Sequence, residues 1–188
     1  MRAVYAASAA LLLGTAAYSP LGGAPVTSAF AGIPNISYEY YDIEGRTPEE
    51  IYRSMRRRAP QTGDAVANTV WHIRVGWRQT RRGNDCIVAD PVTRLSIKVV
   101  LPRLVTTEGV TVEAASFWYR TIKGLEVHEA GHARIAFDHR NDFVQAAAKA
   151  SCGSIKDVAN RTQKRIEALQ QAYDRRTRHG LDQIPVGE

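Results

Sequence analysis

The sequence has no internal repeat, no low-complexity block and no linker that would divide it into parts. With 188 residues, it is therefore expected to form one domain of ordinary size. Hydrophobic residues make up 44% and charged residues 23% of the chain, close to the averages of soluble globular proteins. This composition argues against wholesale disorder, a fibrous repeat and a multi-span membrane protein.

Lysine is scarce, and arginine supplies most of the formal net charge of +6. A basic balance of this kind favours anionic surroundings but names no partner. The densest run, Arg56-Arg57-Arg58, stands at the predicted end of a helix, where the helix dipole favours cations. No aromatic interleaving accompanies it, so no nucleic-acid partner is expected.

The longest stretch without charge lies at the N-terminus. Arg2 precedes an uncharged, apolar run over residues 3–17, and residues 29–31 read Ala-Phe-Ala, a small-x-small cleavage signal. The pattern is typical of a Sec-type signal peptide over 1–31, which leaves one domain over 32–188. The run is short and alanine-rich for a bilayer span, and no lipoprotein cysteine follows it. We therefore expect a secreted or periplasmic protein with no stable membrane insertion.

The predicted mature chain contains only two cysteines, Cys86 and Cys152. No CxxC or CxxH pair exists, which disfavours a Cys/His zinc site. An even number of cysteines in an exported protein indicates one disulfide, the alternative being two buried free thiols. A disulfide between them would close a loop of 66 residues. On the chain-entropy model, closing such a loop increases the free energy of unfolding by about 4 kcal/mol.

Hydrophobic patterning predicts both strands and helices. Residues 47–58 begin with Thr-Pro-Glu-Glu, which is typical of a capped helix start. Alternation over 70–79 and 92–101 predicts two strands of an antiparallel meander. Helical spacing then predicts one long helix over 114–137 and a second amphipathic helix over 155–179.

The motif that carries chemistry is an HExxH pattern, His128-Glu129-Ala130-Gly131-His132, inside the first long helix. Histidines four residues apart lie on one helix face, so both imidazoles can bind one Zn²⁺ at about 2.0 to 2.1 Å. Glu129 would then lie beside the open metal position, as a general base towards water and a general acid towards the leaving amine. The alternative is a helix with two solvated histidines and an unrelated glutamate.

A third ligand is needed, and the residues alone leave it open. Asp138 stands at the position that metzincins use, but Ile135 replaces the glycine at their bend. On a straight helix Asp138 lies about 9 Å beyond His132, too far to share its metal. Within 172–180, His179 stands at a helix end, either as a ligand or as a cation that complements the helix dipole. His72, on the polar face of the first strand, is expected to be a rim residue rather than a ligand.

These residues resemble the bacterial family of predicted secreted Zn-dependent proteases, a domain of unknown function. The resemblance covers most of the chain after residue 31. Its motifs are Tyr41-Asp42-Ile43 with Gly45 and Thr47, the Trp71 strand, the helix with Trp118 and HEAGH, the following cysteine, and Tyr173-Asp174-x-x-Thr177-x-His179-Gly180. The resemblance implies that His179 is the third ligand. Asp174 would orient a ligand imidazole or be the alternative ligand.

The expected structure is therefore an α+β, zincin-like domain. A small antiparallel sheet packs against a metal-binding helix and a second long helix, and a disulfide between Cys86 and Cys152 joins the two parts. One Zn²⁺ per chain is expected, and Tyr173 is a candidate for stabilising an oxyanion.

The expected function is a zinc metallopeptidase of the cell envelope that acts on peptide or protein substrates. One alternative is a non-catalytic envelope binding protein that docks on an anionic polymer and holds a structural zinc. Another is a zinc amidase that acts on peptidoglycan. A fourth protein ligand would favour the structural zinc, whereas an open position would favour an enzyme.

Overall fold

The structure, a computed structural model, describes residues 29–60 and 65–186. The elements are β1 (Ile36–Ile43), α1 (Pro48–Arg58), β2 (Asn68–Arg82), β3 (Asp85–Leu104), α2 (Val112–His139), α3 (Asp142–Ala147), α4 (Ile155–Thr177) and a 3₁₀ turn (Leu181–Gln183). The predicted α+β class and its two long helices are confirmed. Residues 1–28, most of the predicted signal peptide, lie outside the described part.

The three strands form one sheet in the order β1-β3-β2. β2 and β3 form an antiparallel hairpin, as the alternation predicted, with Gly83 at the turn in a left-handed conformation (φ 63°). β1, which the pattern did not predict, pairs in parallel with β3. A parallel pair needs a long crossover connection, and α1 with β2 provides it. The sheet is therefore mixed rather than wholly antiparallel.

The N-terminal helix, α1, has the predicted capping arrangement. The Thr47 side chain accepts a hydrogen bond from the Glu50 backbone N–H, and the Glu50 carboxylate accepts one from the Arg46 N–H at 2.7 Å. The helix buries Ile51 and Met55 against the sheet and α2. These contacts anchor the N-terminal part of the domain.

The hydrophobic core lies between β3 and α2. It contains Ile97, Val99 and Leu101 from the strand and Ala114, Trp118, Ile122, Ala130 and Ala133 from the helix. A further hydrogen bond, from the Thr69 hydroxyl of β2 to the Glu129 carbonyl at 3.1 Å, joins the outer strand to the middle of α2. The HExxH segment is thereby held against the sheet on one side.

The predicted disulfide between Cys86 and Cys152 is confirmed, with 5.6 Å between the Cα atoms. It joins the start of β3 to the turn before α4, where Ile87 and Ser151 also form a β-bridge. A structural disulfide is typical of an oxidising, extracytoplasmic compartment. Within the described ranges, no helix combines the length and the apolar character that a membrane crossing requires.

Residues around the predicted cleavage point belong to the described part. Phe30 is buried and packs edge-on against Tyr38, with 5.5 Å between the ring centroids. The Ala31 carbonyl accepts a hydrogen bond from Arg134 of α2 at 2.7 Å. Cleavage after Ala31 stays a prediction, and it would remove Phe30 from this core.

The C-terminal segment turns back across α2. Arg178, His179 and Gly180 all have positive φ, and the His179 N–H donates to the Asp174 carbonyl at 2.8 Å. The chain then forms the 3₁₀ turn and places Ile184 against α2. The helical pattern predicted the end of α4 to within two residues, but it did not predict this return.

Candidate metal centre

Helix α2 presents the two HExxH histidines to α4. Because His128 and His132 are four residues apart, their rings lie one above the other, and their Nε2 atoms are 3.2 Å apart. The side chains are 8% and 14% exposed, respectively, so they are not the solvated pair of the alternative reading. Burial, and then the neighbouring His132, lower the pKa of His128, which favours its neutral, metal-binding form.

Helix α4 brings Asp174 to the same point. Its Oδ1 atom lies 2.9 Å from His132 Nε2 and 3.3 Å from His128 Nε2. Across the described residues, these three side chains form the one group of histidines, cysteines and carboxylates that can share a metal ion. The candidate metal site is therefore of the His-His-Asp type, and it includes the alternative ligand named from the sequence.

His179, the first choice for the third ligand, lies at the margin of this group. Its side chain is 79% exposed, and its Nδ1 lies 4.0 Å from Asp174 Oδ1. His72 is exposed on β2, and Asp138 is exposed near the end of α2. The structure thus brings Asp174 to the two imidazoles and leaves these three outside, while the role of His179 as a ligand stays a prediction.

Two glutamines that the sequence pattern did not single out contact the other ring nitrogens. Gln170 Oε1 lies 2.6 Å from His132 Nδ1, and Gln183 Oε1 lies 3.0 Å from His128 Nδ1. Gln170 precedes Asp174 by one helical turn, so helical spacing could have placed it on the same face. Gln183 lies beyond the end of α4, so the helical periodicity of the sequence does not predict its position.

Tyr173 packs against both imidazoles. Its ring stacks on His128 at 5.2 Å with an interplanar angle of 14°, and meets His132 edge-on at 5.0 Å. Its hydroxyl is 3.5 Å from the Val127 carbonyl and accepts a hydrogen bond from Gln183 at 2.9 Å. These contacts make Tyr173 a residue that orders the imidazoles. Its suggested role at an oxyanion stays a prediction.

Thr177 and Gly180 close the site around His128. The Thr177 hydroxyl lies 3.4 Å from His128 Nδ1 and accepts a hydrogen bond from the Gly180 N–H at 3.4 Å. Gly180 has φ 84°, and a Cβ atom there would come within 2.9 Å of the imidazole. The spacing Tyr-Asp-x-x-Thr-x-His-Gly therefore corresponds to four residues that contact the site and one, His179, at its margin.

Glu129, the predicted general base, is buried on α2 beside the two histidines. It is 3% exposed, and its Oε2 atom has no hydrogen-bond partner among the described residues. Burial raises the pKa of Glu129 to about 7. A buried carboxylate with an unpaired oxygen is uncommon in folded proteins and points to a functional role.

Comparison with known proteins places the chain in a family. The model of a family described as "Bacterial protein of unknown function (DUF922)" matches residues 38–180. The match contains the HExxH helix, both cysteines and Asp174, and it ends before Gln183. No curated protein and no solved structure matches the chain. Because the match covers well over half of the sequence, the chain belongs to the DUF922 family of bacterial proteins of unknown function.

Proposed function

We propose that this protein is a zinc-dependent peptidase of the cell envelope. His128, His132 and Asp174 would hold one Zn²⁺, and Glu129 would be the general base. The distances between the three ligating atoms carry the proposal. Neighbouring ligands of a tetrahedral zinc with bonds of about 2.0 to 2.1 Å are about 3.3 to 3.4 Å apart. The three ligating atoms here are separated by 3.2, 3.3 and 2.9 Å.

The donor set supports a catalytic rather than a structural zinc. Two imidazoles and one carboxylate are a common ligand set of catalytic zinc, with the fourth position open to water or substrate. No fourth protein ligand joins the three within the described part of the chain. This is the feature that disfavours the non-catalytic binding protein with a structural zinc.

The chemistry divides between the ion and Glu129. A bound Zn²⁺ supplies Lewis acidity, which polarises a carbonyl group and makes a water molecule acidic near neutral pH. Glu129 directly follows His128 on α2, and its unpaired Oε2 is available to accept the proton of the attacking water. The same carboxyl group then delivers that proton to the leaving amine.

The sheet supports a peptide as the substrate. β2 is an outer strand of the sheet, so one of its edges has no strand partner among the described residues. Thr69, near its beginning, contacts the Glu129 carbonyl, so this strand runs beside the HExxH segment. An extended peptide that adds to this edge would pass the candidate metal site. A peptidoglycan amidase would use the same metal chemistry on a different bond.

Zinc content and peptide cleavage of the purified protein and of Glu129→Gln test the proposal. We expect one Zn²⁺ per chain in both proteins and a rate about 100-fold lower or more in the variant, because only the proton acceptor is removed. Purified protein that carries no zinc and gains none on incubation would contradict the proposal, and so would stoichiometric iron. Cleavage of peptidoglycan fragments but not of peptides would favour the amidase.

A further inference from the structure

The two candidate histidine ligands are held at their outer nitrogens by amide groups from two different elements. We propose that Gln170 and Gln183 are positioning residues that fix both imidazoles as the Nδ1–H tautomer. The Nε2 lone pairs then face Asp174, and the C-terminal turn that carries Gln183 becomes part of the metal centre. The inference rests on the proposed function only for the identity of the metal.

The orientation of the Gln170 amide follows from its second contact. Its Nε2 donates to the backbone carbonyl of His132 at 3.1 Å, and a carbonyl can only accept. Its Oε1 therefore faces His132 Nδ1, 2.6 Å away, and that nitrogen must carry the proton. Gln170 is 8% exposed, so water competes little for these bonds.

The orientation of the Gln183 amide follows from a chain of hydrogen bonds with one direction. The Tyr173 hydroxyl donates to the Val127 carbonyl at 3.5 Å and accepts from Gln183 Nε2 at 2.9 Å. Gln183 Oε1 is then the acceptor that faces His128 Nδ1 at 3.0 Å. With this direction, the donor to Gln183 Oε1 is the Nδ1–H of His128, and the nearby Thr177 hydroxyl donates instead to the Tyr173 carbonyl at 3.0 Å.

The consequence lies on the other side of both rings. A neutral imidazole with a proton on Nδ1 has a bare lone pair on Nε2. Two such lone pairs and the Asp174 Oδ1 lie within 3.3 Å of one another. Three acceptors at this separation repel one another, and a cation relieves the repulsion. The glutamines therefore disfavour the competing state in which an Nε2–H donates directly to Asp174.

The C-terminal segment is packed in place for this role. Gly180 lies against the His128 ring, where a Cβ atom would come within 2.9 Å of the imidazole Cγ. Ile184 lies against Gly124, where a Cβ atom would come within 2.6 Å of its side chain. These two contacts, on either side of Gln183, hold it over α2. The family match ends at residue 180 and does not include Gln183.

The test combines zinc affinity with the tautomers of the metal-free protein. Zinc affinity is measured by competition with a chromophoric chelator. The histidine tautomers are read from ring ¹⁵N chemical shifts at about pH 8, above the ordinary pKa of an imidazole. We expect Gln170→Leu and Gln183→Leu each to weaken zinc binding by about 10- to 100-fold. Gln171→Leu, an exposed neighbour on α4, is the matched control and should leave affinity unchanged.

A conservative variant separates hydrogen bonding from packing. Gln183→Glu keeps an acceptor for His128 Nδ1, and the Tyr173 hydroxyl can rotate to donate to the new carboxylate. We expect this variant to bind zinc at least as tightly as the wild type. Circular dichroism of each metal-free variant shows whether it is folded. If Gln183→Leu does not fold, the zinc affinity of Gln183→Glu is compared with that of the wild type instead.

The outcomes separate this inference from the proposed function. Wild-type affinity in both leucine variants would overturn the inference, as would Nε2–H tautomers in the folded, metal-free wild type. If the wild type binds no zinc but its rings carry the proton on Nδ1, the positioning role stands and the zinc peptidase falls. If zinc binds and Glu129→Gln retains full activity, the peptidase mechanism falls and the positioning role again stands.

Discussion

The phenol ring of Tyr173 occupies the space that a side chain at Gly131 would fill. A Cβ atom built on Gly131 overlaps the phenol oxygen and the adjoining ring carbon. The glycine inside HEAGH is therefore required by the packing of α4 on α2, and not by backbone conformation. Through this contact the tyrosine reaches the α2 backbone while its ring lies against both histidines.

Gly131→Ala is expected to destabilise the protein, although alanine is the better helix former. The added methyl group must displace Tyr173, at an overpacking cost of about 1 to 3 kcal/mol. The gain in helix propensity offsets about 1 kcal/mol of it. Denaturant unfolding of the single variants and of the double variant with Tyr173→Leu measures the coupling. Additive effects of the two substitutions would contradict the proposed contact.

Asp174→Asn is expected to lower zinc affinity more than His179→Ala does. Asp174 lies within 3.3 Å of both Nε2 atoms, whereas the His179 side chain is 79% exposed and lies at the margin. Asp138→Asn, the same change at an exposed residue of α2, is the matched control. Competition with a chelator measures all three variants. Loss of zinc in His179→Ala with zinc retained in Asp174→Asn would restore His179 as the third ligand.

Loss of the disulfide is expected to lower global stability. The bridge between Cys86 and Cys152 closes a separation of 66 residues. The chain-entropy model assigns such a bridge about 4 kcal/mol, and measured values are often lower. Denaturant unfolding of Cys86→Ser/Cys152→Ser against the oxidised wild type measures the difference. Equal midpoints would show that the bridge contributes nothing to the stability of the folded state.

Tyr41 is expected to make stability fall at alkaline pH. Burial raises the pKa of Tyr41 to about 12, and its hydroxyl donates to the Val66 carbonyl at 2.6 Å. In the unfolded chain the phenol ionises near its ordinary pKa of 10.0. The contribution of the neutral, buried phenol to the free energy of unfolding is therefore fully present below pH 10, and it is lost as the pH rises from 10 through about 12. After discounting for the partial exposure of the side chain, we expect this loss to lower the free energy of unfolding by about 1 to 2 kcal/mol.

Tyr41→Phe provides the measurement. We expect the variant to be less stable than the wild type by about 1 kcal/mol near neutral pH, because one hydrogen bond is lost. The difference in unfolding free energy between the two proteins should shrink between pH 10 and pH 12, since only the wild type has this phenol. A difference that stays constant over that window would show that the phenol is not buried as described.

Whether Phe30 belongs to the mature core depends on where the predicted signal peptide is cleaved. Cleavage after Ala31 predicts a chain that begins at Gly32, and intact mass spectrometry of protein recovered from the envelope measures it. A mature chain that retains Phe30 would keep the edge-on contact with Tyr38, and it would place the cleavage point upstream of the predicted one.

Patterns within single elements predicted much of the fold. Capping residues predicted α1, alternation predicted the β2–β3 hairpin, and helical spacing predicted both long helices. These signals are local, because the partners of a cap, a turn or an amphipathic face lie within a few residues of one another. β1 escaped prediction because its partner, β3, lies about 60 residues away, and because the alternation of its apolar and polar residues breaks at Tyr41 after only five positions.

The sequence by itself determined that His128 and His132 lie on one helix face with Glu129 beside them, because the pitch of an α-helix decides which residues share a face. Only the tertiary structure decided that Asp174 approaches both Nε2 atoms, that Gln170 and Gln183 hold the opposite nitrogens, and that Tyr173 requires the glycine between the histidines. These relationships depend on how α4 and the C-terminal turn pack against α2. Such packing depends on the shapes of side chains from elements about 40 to 55 residues apart in the sequence. The hydrophobic periodicity within a single helix therefore does not predict it.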